Sequence, residues 1–483
     1  MKLIFLFILG LLSAIAPVKA QEKWNLKSCV EYAMSNNFTV KQAQIQAAQS
    51  SLNRSQNHFS RFPTLNGGMS GAFNSGNNQD PTTFSRVTEN YLSAGLQLQS
   101  SADIFNFFSK KYSVQSSKWD EMSAKANVSK VSYDIGLSAA NAYLQVLLAR
   151  QQVKIIEVQL KQTWAQLDNT VKMVKAGTLP ELNQTQIEAQ LAMDSSNYYS
   201  AMGNVQQALL NLKNTMSIDP IAPFEIEEPE VEKIPVESIA DLQPDFVYAE
   251  AIQNQPQQAG NRYIVKSALL AKKSAYFSRY PTLSTFASLS TNYLSFNKRP
   301  LYNREITGYQ STGLIADAGG GVVYDVQSPI FTNTSVAGYI RPGKIWNQFT
   351  DNFRKSLGLS INIPIFNGYA AKINYERAGL NLKTAELQLS RDDQNLKRDI
   401  QVAYTQALTA MQKFEASRKA VFSSQQTFDF AEKRYKIGMM GIFELSSSQN
   451  NLFRAKLEYN LNQFDYVFKM KVLEFYKGKG LKL

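Results

Sequence analysis

One histidine, His58, and one cysteine, Cys29, are all the chain offers as soft metal ligands or as a thiol nucleophile. A zinc site needs several such groups, so no Cys/His cluster forms within the chain, and His58 reads as an ordinary packed or surface residue. A lone cysteine also excludes an intrachain disulfide framework. Carboxylate-only metal sites stay open, but there is no EF-hand loop, P-loop, HExxH or GxSxG. Serines and carboxylates are numerous but unclustered. Without a nucleophile–base–orienter set, a secreted hydrolase is disfavoured. No catalytic residue, resident metal or cofactor is expected, and no nucleotide-binding motif is present.

Charge and leader narrow the setting. Lys2, the apolar run Leu3 to Ile15 and the small residues Val18 and Ala20 read as an export signal over 1–20, leaving Gln21 as the mature terminus. That run is too short for a membrane anchor, and no lipobox precedes Cys29. The formal charge of +12 falls to +10 when Lys2 and Lys19 leave (12 − 2). The cations are scattered rather than striped with aromatics, so nucleic acid is not an expected partner; anionic head groups or acidic partners fit better. No later stretch approaches eighteen uninterrupted apolar residues. A membrane span would have to be made of strands.

Proline placement and apolar spacing show what the chain builds. Prolines are absent between Pro81 and Pro180 and after Pro364, which permits long helices there. From Ile135, steps of four and three land on Ala139, Ala142, Val146, Ala149, Val153, Ile156, Leu160, Thr163 and Leu167. From Leu396 they land on Ile400, Ala403, Ala407, Ala410, Phe414, Ser417 and Val421. A sustained 3.5-residue repeat marks helices that supercoil side by side. About 70 residues in each tract give helices of roughly 100 Å. Gly177 and Gly438 suit the left-handed residue that ends such helices, with lysines nearby to favour the negative helix end. Pro180 and Glu181 then suit the first turn of a returning helix, so each tract closes as a helical hairpin.

Alternation of period two precedes each long tract. Leu65, Met69 and Phe73 alternate with small or polar residues, as do Leu92, Ala94, Leu96 and Leu98. Leu283, Ala287, Leu289 and Tyr293 form the third set, which Phe286 interrupts, and Leu357, Leu359, Ile361 and Ile363 the fourth. Segments of about ten such residues match membrane strands, although strands half-buried against helices would alternate in the same way. Four strands cannot close a barrel and open edges are not tolerated in lipid, so spanning strands require an oligomer, with eight strands from two chains or twelve from three. A polar loop is expected at about Asn74 to Glu89. The longer one, 295–352, is expected on the outer side, with extra strands or a fold over the mouth both open.

The chain is also a duplication. Phe59-Ser60-Arg61-Phe62-Pro63-Thr64-Leu65 returns as Phe277-Ser278-Arg279-Tyr280-Pro281-Thr282-Leu283, six of seven identical at an offset of 218. The expected organisation is a first repeat at 21–213, with a strand pair at 63–100, a long helix at 104–174 and a return helix at 180–213. A Pro- and Glu-rich connector follows at 214–243. The second repeat, 244–476, has strands within 281–364, a long helix at 366–436 and a return helix at 442–476, before a tail at 477–483.

Taken in order, these features resemble the TolC-like outer-membrane efflux proteins. The likeness rests on the strand entries at Pro63 and Pro281 and on Ile104-Phe105-Asn106 and Ile365-Phe366-Asn367-Gly368 before the long helices. The glycine-bearing tips and the opening segment Leu26 to Asn37 add to it. The resemblance implies a mainly α fold with membrane β: a homotrimer whose twelve-stranded β-barrel in outer-membrane lipid continues into a long twelve-helix coiled-coil α-barrel through the periplasm. It implies a passive exit duct joined through a periplasmic adaptor, docking at Gly177, Thr178 and Gly438, to an inner-membrane pump. A type I protein-secretion channel is the near alternative, and a non-channel periplasmic coiled-coil scaffold the distant one. The family's iris tyrosine matches Tyr435. Its acidic partner is replaced by Asn183, so a neutral hydrogen bond is expected in place of a charged clasp. Glu444 matches one position of the family's acidic lumen ring, with a dipole-stabilised first-turn glutamate as the plainer role, while Ser447 stands where another carboxylate is frequent.

Overall fold

The computed structural model describes residues 23–79, 86–228, 234, 236–295, 298–317, 319 and 323–478. The expected export signal, Gly320 and Gly321, and the tail beyond residue 478 lie outside the described residues. Two units make up the described chain: a helical unit of residues up to 56, 112–273 and 374 onward, and a sheet unit of residues 57–111 and 274–373.

The first copy runs through α1 (Leu26–Asn36), α2 (Phe38–Phe59), β1 (Thr64–Gln79), β2 (Arg86–Phe105), α3 (Ser109–Lys175) and α4 (Glu181–Met216). The second runs through α5 (Pro244–Asn254), α6 (Pro256–Phe277), β3 (Thr282–Ser295), β4 (Arg299–Asp317), β5 (Val323–Ile340), α7 (Ile345–Asp351), β6 (Arg354–Asn362), α8 (Ala370–Lys436) and α9 (Ile442–Tyr476). Corresponding helices keep their lengths: 11 residues in α1 and α5, 22 in α2 and α6, and 67 in α3 and α8. The offset is 218 up to the strands and 261 afterwards (Ile104 to Ile365, Gly177 to Gly438), so the second copy carries 43 more residues between its strand entry and its long helix.

Those residues resolve the open question about the second loop. Residues 295–352 hold β4 and β5, an antiparallel pair of their own, followed by α7. The first loop is shorter than its composition suggests, because β1 and β2 stay paired as far as Gln79 and Arg86. Backbone ladders need no hydrophobic alternation once the register is set, so polar residues from Asn74 onward extend the hairpin. The long helices also start later than 104 and 366. Ile104 and Phe105 still belong to β2, and two consecutive left-handed residues then turn the chain: Phe107 (φ 48°) and Phe108 (φ 67°) in one copy, Gly368 (φ 60°) and Tyr369 (φ 62°) in the other.

In the sheet unit, β1-β2-β3-β6 pair in that order, all antiparallel, leaving β1 and β6 as edges. The register fixes the faces. Leu65, Met69 and Phe73 share one face with Leu98, Leu96 and Leu92, then with Leu283 and Leu289, and then with Ile361, Leu359 and Leu357. This apolar face is exposed across all four strands, Met69 at 84% and Leu357 at 82%. The opposite face carries Asn66, Ser70, Gln97, Gln99, Ser288, Ser290, Ser356 and Ser360, with Ser288 and Ser356 hydrogen-bonded at 2.7 Å. Phe286 is an aromatic exception on it, and its ring covers Gly358, where a Cβ would meet Phe286 Cζ at 2.5 Å. Beyond the end of β6, α7 takes over the edge of β3. Gln348 accepts from Leu294 N at 2.9 Å and donates to Leu294 O at 3.0 Å, as a neighbouring strand would.

In the helical unit, the 3.5-residue seams are the buried ones. Ala139, Val146, Ala149, Ile156 and Thr163 are buried on α3, and Ile400, Ala403, Ala407, Ala410 and Ser417 on α8. A core around Cys29, Tyr143, Leu147, Leu212, Met216 and Phe464 receives the connector. Trp24 and Glu225–Glu227 exchange backbone bonds of 2.9 Å, Tyr143 donates to Glu227 O at 2.6 Å, and Arg150 and Lys154 grip Glu228. Burial pushes the Cys29 thiol up to about 12, so it stays protonated and unreactive.

Candidate functional site at the helical tips

Both long helices end by the same device. Gly177 (φ 74°) donates to Val174 O at 2.9 Å while Thr178 N donates to Met173 O at 3.0 Å; Gly438 (φ 76°) donates to Tyr435 O at 2.9 Å while Met439 N donates to Arg434 O at 2.9 Å. This is the Schellman pattern, in which the left-handed residue lets its own amide and the next one cap the last carbonyls. Lys172, Lys175, Lys433, Arg434 and Lys436 sit in the last turns, where the helix dipole favours cations. Thr178 adds its hydroxyl to Met173 O at 2.8 Å. The return helices start at matching places, with Pro180 and Gly441 as the residues just outside them and Glu181 and Glu444 in the first turns.

Apolar side chains tie the two hairpins together. Ile187 of α4, Ala431 of α8, and Ile442 and Leu445 of α9 form a buried cluster, with Leu167 of α3, Phe428, Tyr435 and Met440 packed against it. Tyr435 therefore serves the tip twice, its ring in this cluster and its carbonyl under the Gly438 cap. Asn183 is half-buried in the first turn of α4, and its backbone N–H donates to Pro180 O at 3.1 Å. Within the chain the Tyr435 hydroxyl and the Asn183 side chain are not bonded to each other. Glu444 is exposed and lines a cleft of about 610 Å³ with Thr427, Phe430, Arg434, Ser447 and Asn451. A second cleft of about 520 Å³ lies between α4 and α9, lined by Gln186, Gln190, Met193, Phe443 and Asn451.

Sequence reasoning missed the polar layer behind these tips. Thr163 donates to the buried Asp194 carboxylate at 2.7 Å, Gln190 donates to its other oxygen at 2.8 Å, and Gln166 donates to Gln449 across α3 and α9 at 2.8 Å. The available signal was Thr163 itself, a hydroxyl in an otherwise apolar seam. His58 is exposed beside the rings of Phe59 and Phe62. Among the described residues, no group of three or more His, Cys, Asp or Glu side chains is arranged to hold a metal ion.

Comparison with known proteins places this architecture. The outer membrane protein TolC of Escherichia coli K12 is 22% identical over 394 residues, covering 79% of this chain and 68% of that protein. The VceC outer membrane protein of Vibrio cholerae superposes with a TM-score of 0.72 at 14% identity, covering 94% of this chain and 96% of the other. The CmeC outer membrane channel of Campylobacter jejuni superposes with a TM-score of 0.69 at 17% identity, covering 94% and 86%. At such identities the superpositions speak for the fold alone. The model of the outer membrane efflux proteins matches residues 30–216 and 336–469, taking in both helical hairpins and most of the membrane-type sheet. By this match the chain belongs to the outer membrane efflux protein family, and it is a protein of the cell outer membrane with a large periplasmic helical portion.

Proposed function

We propose that three copies of this chain form a passive exit duct across the outer membrane and periplasm. It is coupled at its tips to a periplasmic adaptor and through that to an inner-membrane pump. The observation that carries this reading is the two-faced sheet with free edges. Its exposed apolar face suits hydrocarbon, its Ser/Gln/Asn face suits water, and unpaired β1 and β6 edges in lipid demand neighbours. Three copies give twelve strands, enough to enclose a channel. The protein acts as a conduit rather than an enzyme, and energy comes from the pump.

In this reading Tyr435 and Asn183 meet across the iris of the assembled tips, and three Glu444 carboxylates concentrate negative potential at the entrance. A neutral tyrosine–amide bond contributes about 0.5–1.5 kcal/mol, so thermal opening is easier than with a charged clasp. Frustration on α9 supports a movable tip: Ser448 Oγ and Gln449 Nε2 are buried without a hydrogen-bond partner. Ile437, Met439 and Phe443 stand exposed around Gly438, an apolar seat for the adaptor together with Gly177 and Thr178. The test is reconstitution of the purified protein in planar bilayers with imaging of the same particles. Trimeric particles with an axial bore and discrete currents are expected; monomers extractable by salt without detergent would defeat the proposal.

A further inference from the structure

The duplication provides an internal record of which residues were kept. Of the 22 aligned positions of α2 and α6, only Leu52/Leu270 and Phe59/Phe277 agree; of the first fifteen of α3 and α8, only Lys111/Lys372 do. Around the sheet's helical end agreement returns, in Ser60-Arg61 with Ser278-Arg279 and in Ile104-Phe105-Asn106 with Ile365-Phe366-Asn367. Two cations per copy, Arg61/Arg279 and Lys111/Lys372, thus hold the same register against a background of drift.

All four are exposed, and among the described residues none has a carboxylate partner, whereas the adjacent Lys110 is neutralised by Asp103 at 2.8 Å. Lys111 and Lys372 also occupy the first turns of their helices, where the macrodipole disfavours a cation and neither helix supplies an acid. Each lies near the ring three residues before it: Lys111 Nζ is 5.3 Å from the Phe108 centroid and Lys372 Nζ 5.8 Å from Tyr369, and the Arg279 guanidinium is 5.9 Å from Tyr276. Those rings are exposed as well. Lys110 donates to Ser60 O at 2.7 Å and Phe107 stacks on Tyr280 at 5.0 Å, so the cations of both copies gather at one end of the sheet unit.

Aromatic rings settle at the boundary between hydrocarbon and water, and long cationic side chains beside them reach the head groups. We propose that Arg61, Lys111, Arg279 and Lys372 form a belt that binds the phosphates of anionic phospholipids in the periplasmic leaflet, in preference to zwitterionic ones. The belt rests on the reading that the strands span the bilayer. It fixes the depth of the sheet through lipid charge as well as through apolar area.

The experiment uses the full-length protein in detergent, offered equal amounts of phosphatidylglycerol and phosphatidylcholine with the same acyl chains, with bound lipid counted by native mass spectrometry. The wild type is expected to retain phosphatidylglycerol preferentially. R61Q/R279Q/K111Q/K372Q should lose that preference by about fivefold for each cation that faces the lipid surface. The charge-preserving R61K/R279K/K111R/K372R should keep it, high salt should shrink it, and inorganic phosphate at matched ionic strength should displace no lipid. If the quadruple variant fails to assemble, R61Q/R279Q and K111Q/K372Q separately should each lose part of the preference. Equal binding of the two lipids by the wild type, or an unchanged preference in the glutamine variants, overturns the belt. Planar-bilayer currents are read alongside: currents without lipid preference remove only the belt, and preference without currents removes only the duct.

Discussion

The hairpin tips and the strand-to-helix turns both force residues into the left-handed region, and the two copies solve the problem alike at the tips and differently at the turns. At the tips both copies use glycine, Gly177 and Gly438, and a Cβ at either would meet nothing within 4 Å. At the turns one copy uses Gly368 while the other holds Phe107 at φ 48°. Phe107 is kept there by its neighbours, with the Phe105 ring at 4.9 Å and the Tyr280 ring stacked at 5.0 Å. A non-glycine residue in this region costs about 1–2 kcal/mol, and an aromatic pair returns about 0.5–1.5 kcal/mol beyond its burial. Where packing offsets the strain, glycine was dispensable. Where nothing touches the turn, it was not.

That contrast can be broken most sharply at the tips. Gly438→Val should abolish export in a drug-susceptibility assay while trimers still assemble, because no packing offsets a β-branched residue in the left-handed region. Loss of the trimer itself would make the glycine merely structural. Next in size is Tyr435→Phe. If the hydroxyl holds the iris, single-channel conductance or drug leakage should rise severalfold, up to about tenfold, consistent with the loss of one neutral hydrogen bond; unchanged currents would confine Tyr435 to packing and capping.

The turns give smaller effects. Gly368→Phe should lower stability by about 1–2 kcal/mol, while Phe107→Gly should change it by less, since relief of strain and loss of ring contacts oppose each other. Denaturant melts of both variants would decide; a larger loss for Phe107→Gly would reverse the comparison. Glu444→Gln should weaken cation preference in reversal-potential measurements, and no change would leave it a first-turn glutamate stabilised by the dipole.

The smallest effect concerns pH. Lys154 chiefly, with Arg150, holds the Glu228 carboxyl below its usual range against partial burial. A carboxylate lowered in the folded state contributes stability above its unfolded pKa of about 4.3, and that contribution disappears as pH falls through the lowered value. Melting temperature should therefore drop in that acid window, and Glu228→Gln should flatten that part of the curve. The pair is partly exposed, so the effect is small.

Much of this was legible beforehand because it depends on local rules. Alanine-rich seams of period 3.5 gave the buried stripes of α3 and α8, glycine marked the tips, and Leu357 to Ile361 alternated as membrane strands do. The β4–β5 hairpin was not legible, because register shifts at Leu301/Tyr302, Asn303/Arg304, Ile306/Gly308 and Ser311/Leu314 scramble the period of two. The late start of α3 was missed because Phe107-Phe108 gives no turn signal of the kind that glycine or asparagine gives. Nor could pattern alone foresee the double duty of Tyr435, since a carbonyl under a cap leaves no trace in residue type.

A single side chain on α7 has a wider consequence. With Gln348 clamping both polar groups of Leu294, the rim of the sheet is finished by a removable peg rather than by another ribbon of chain. Because β4 and β5 pair with each other as a separate two-stranded ladder, residues Arg299 to Ile340 can change in length without shifting the register of the four-stranded sheet.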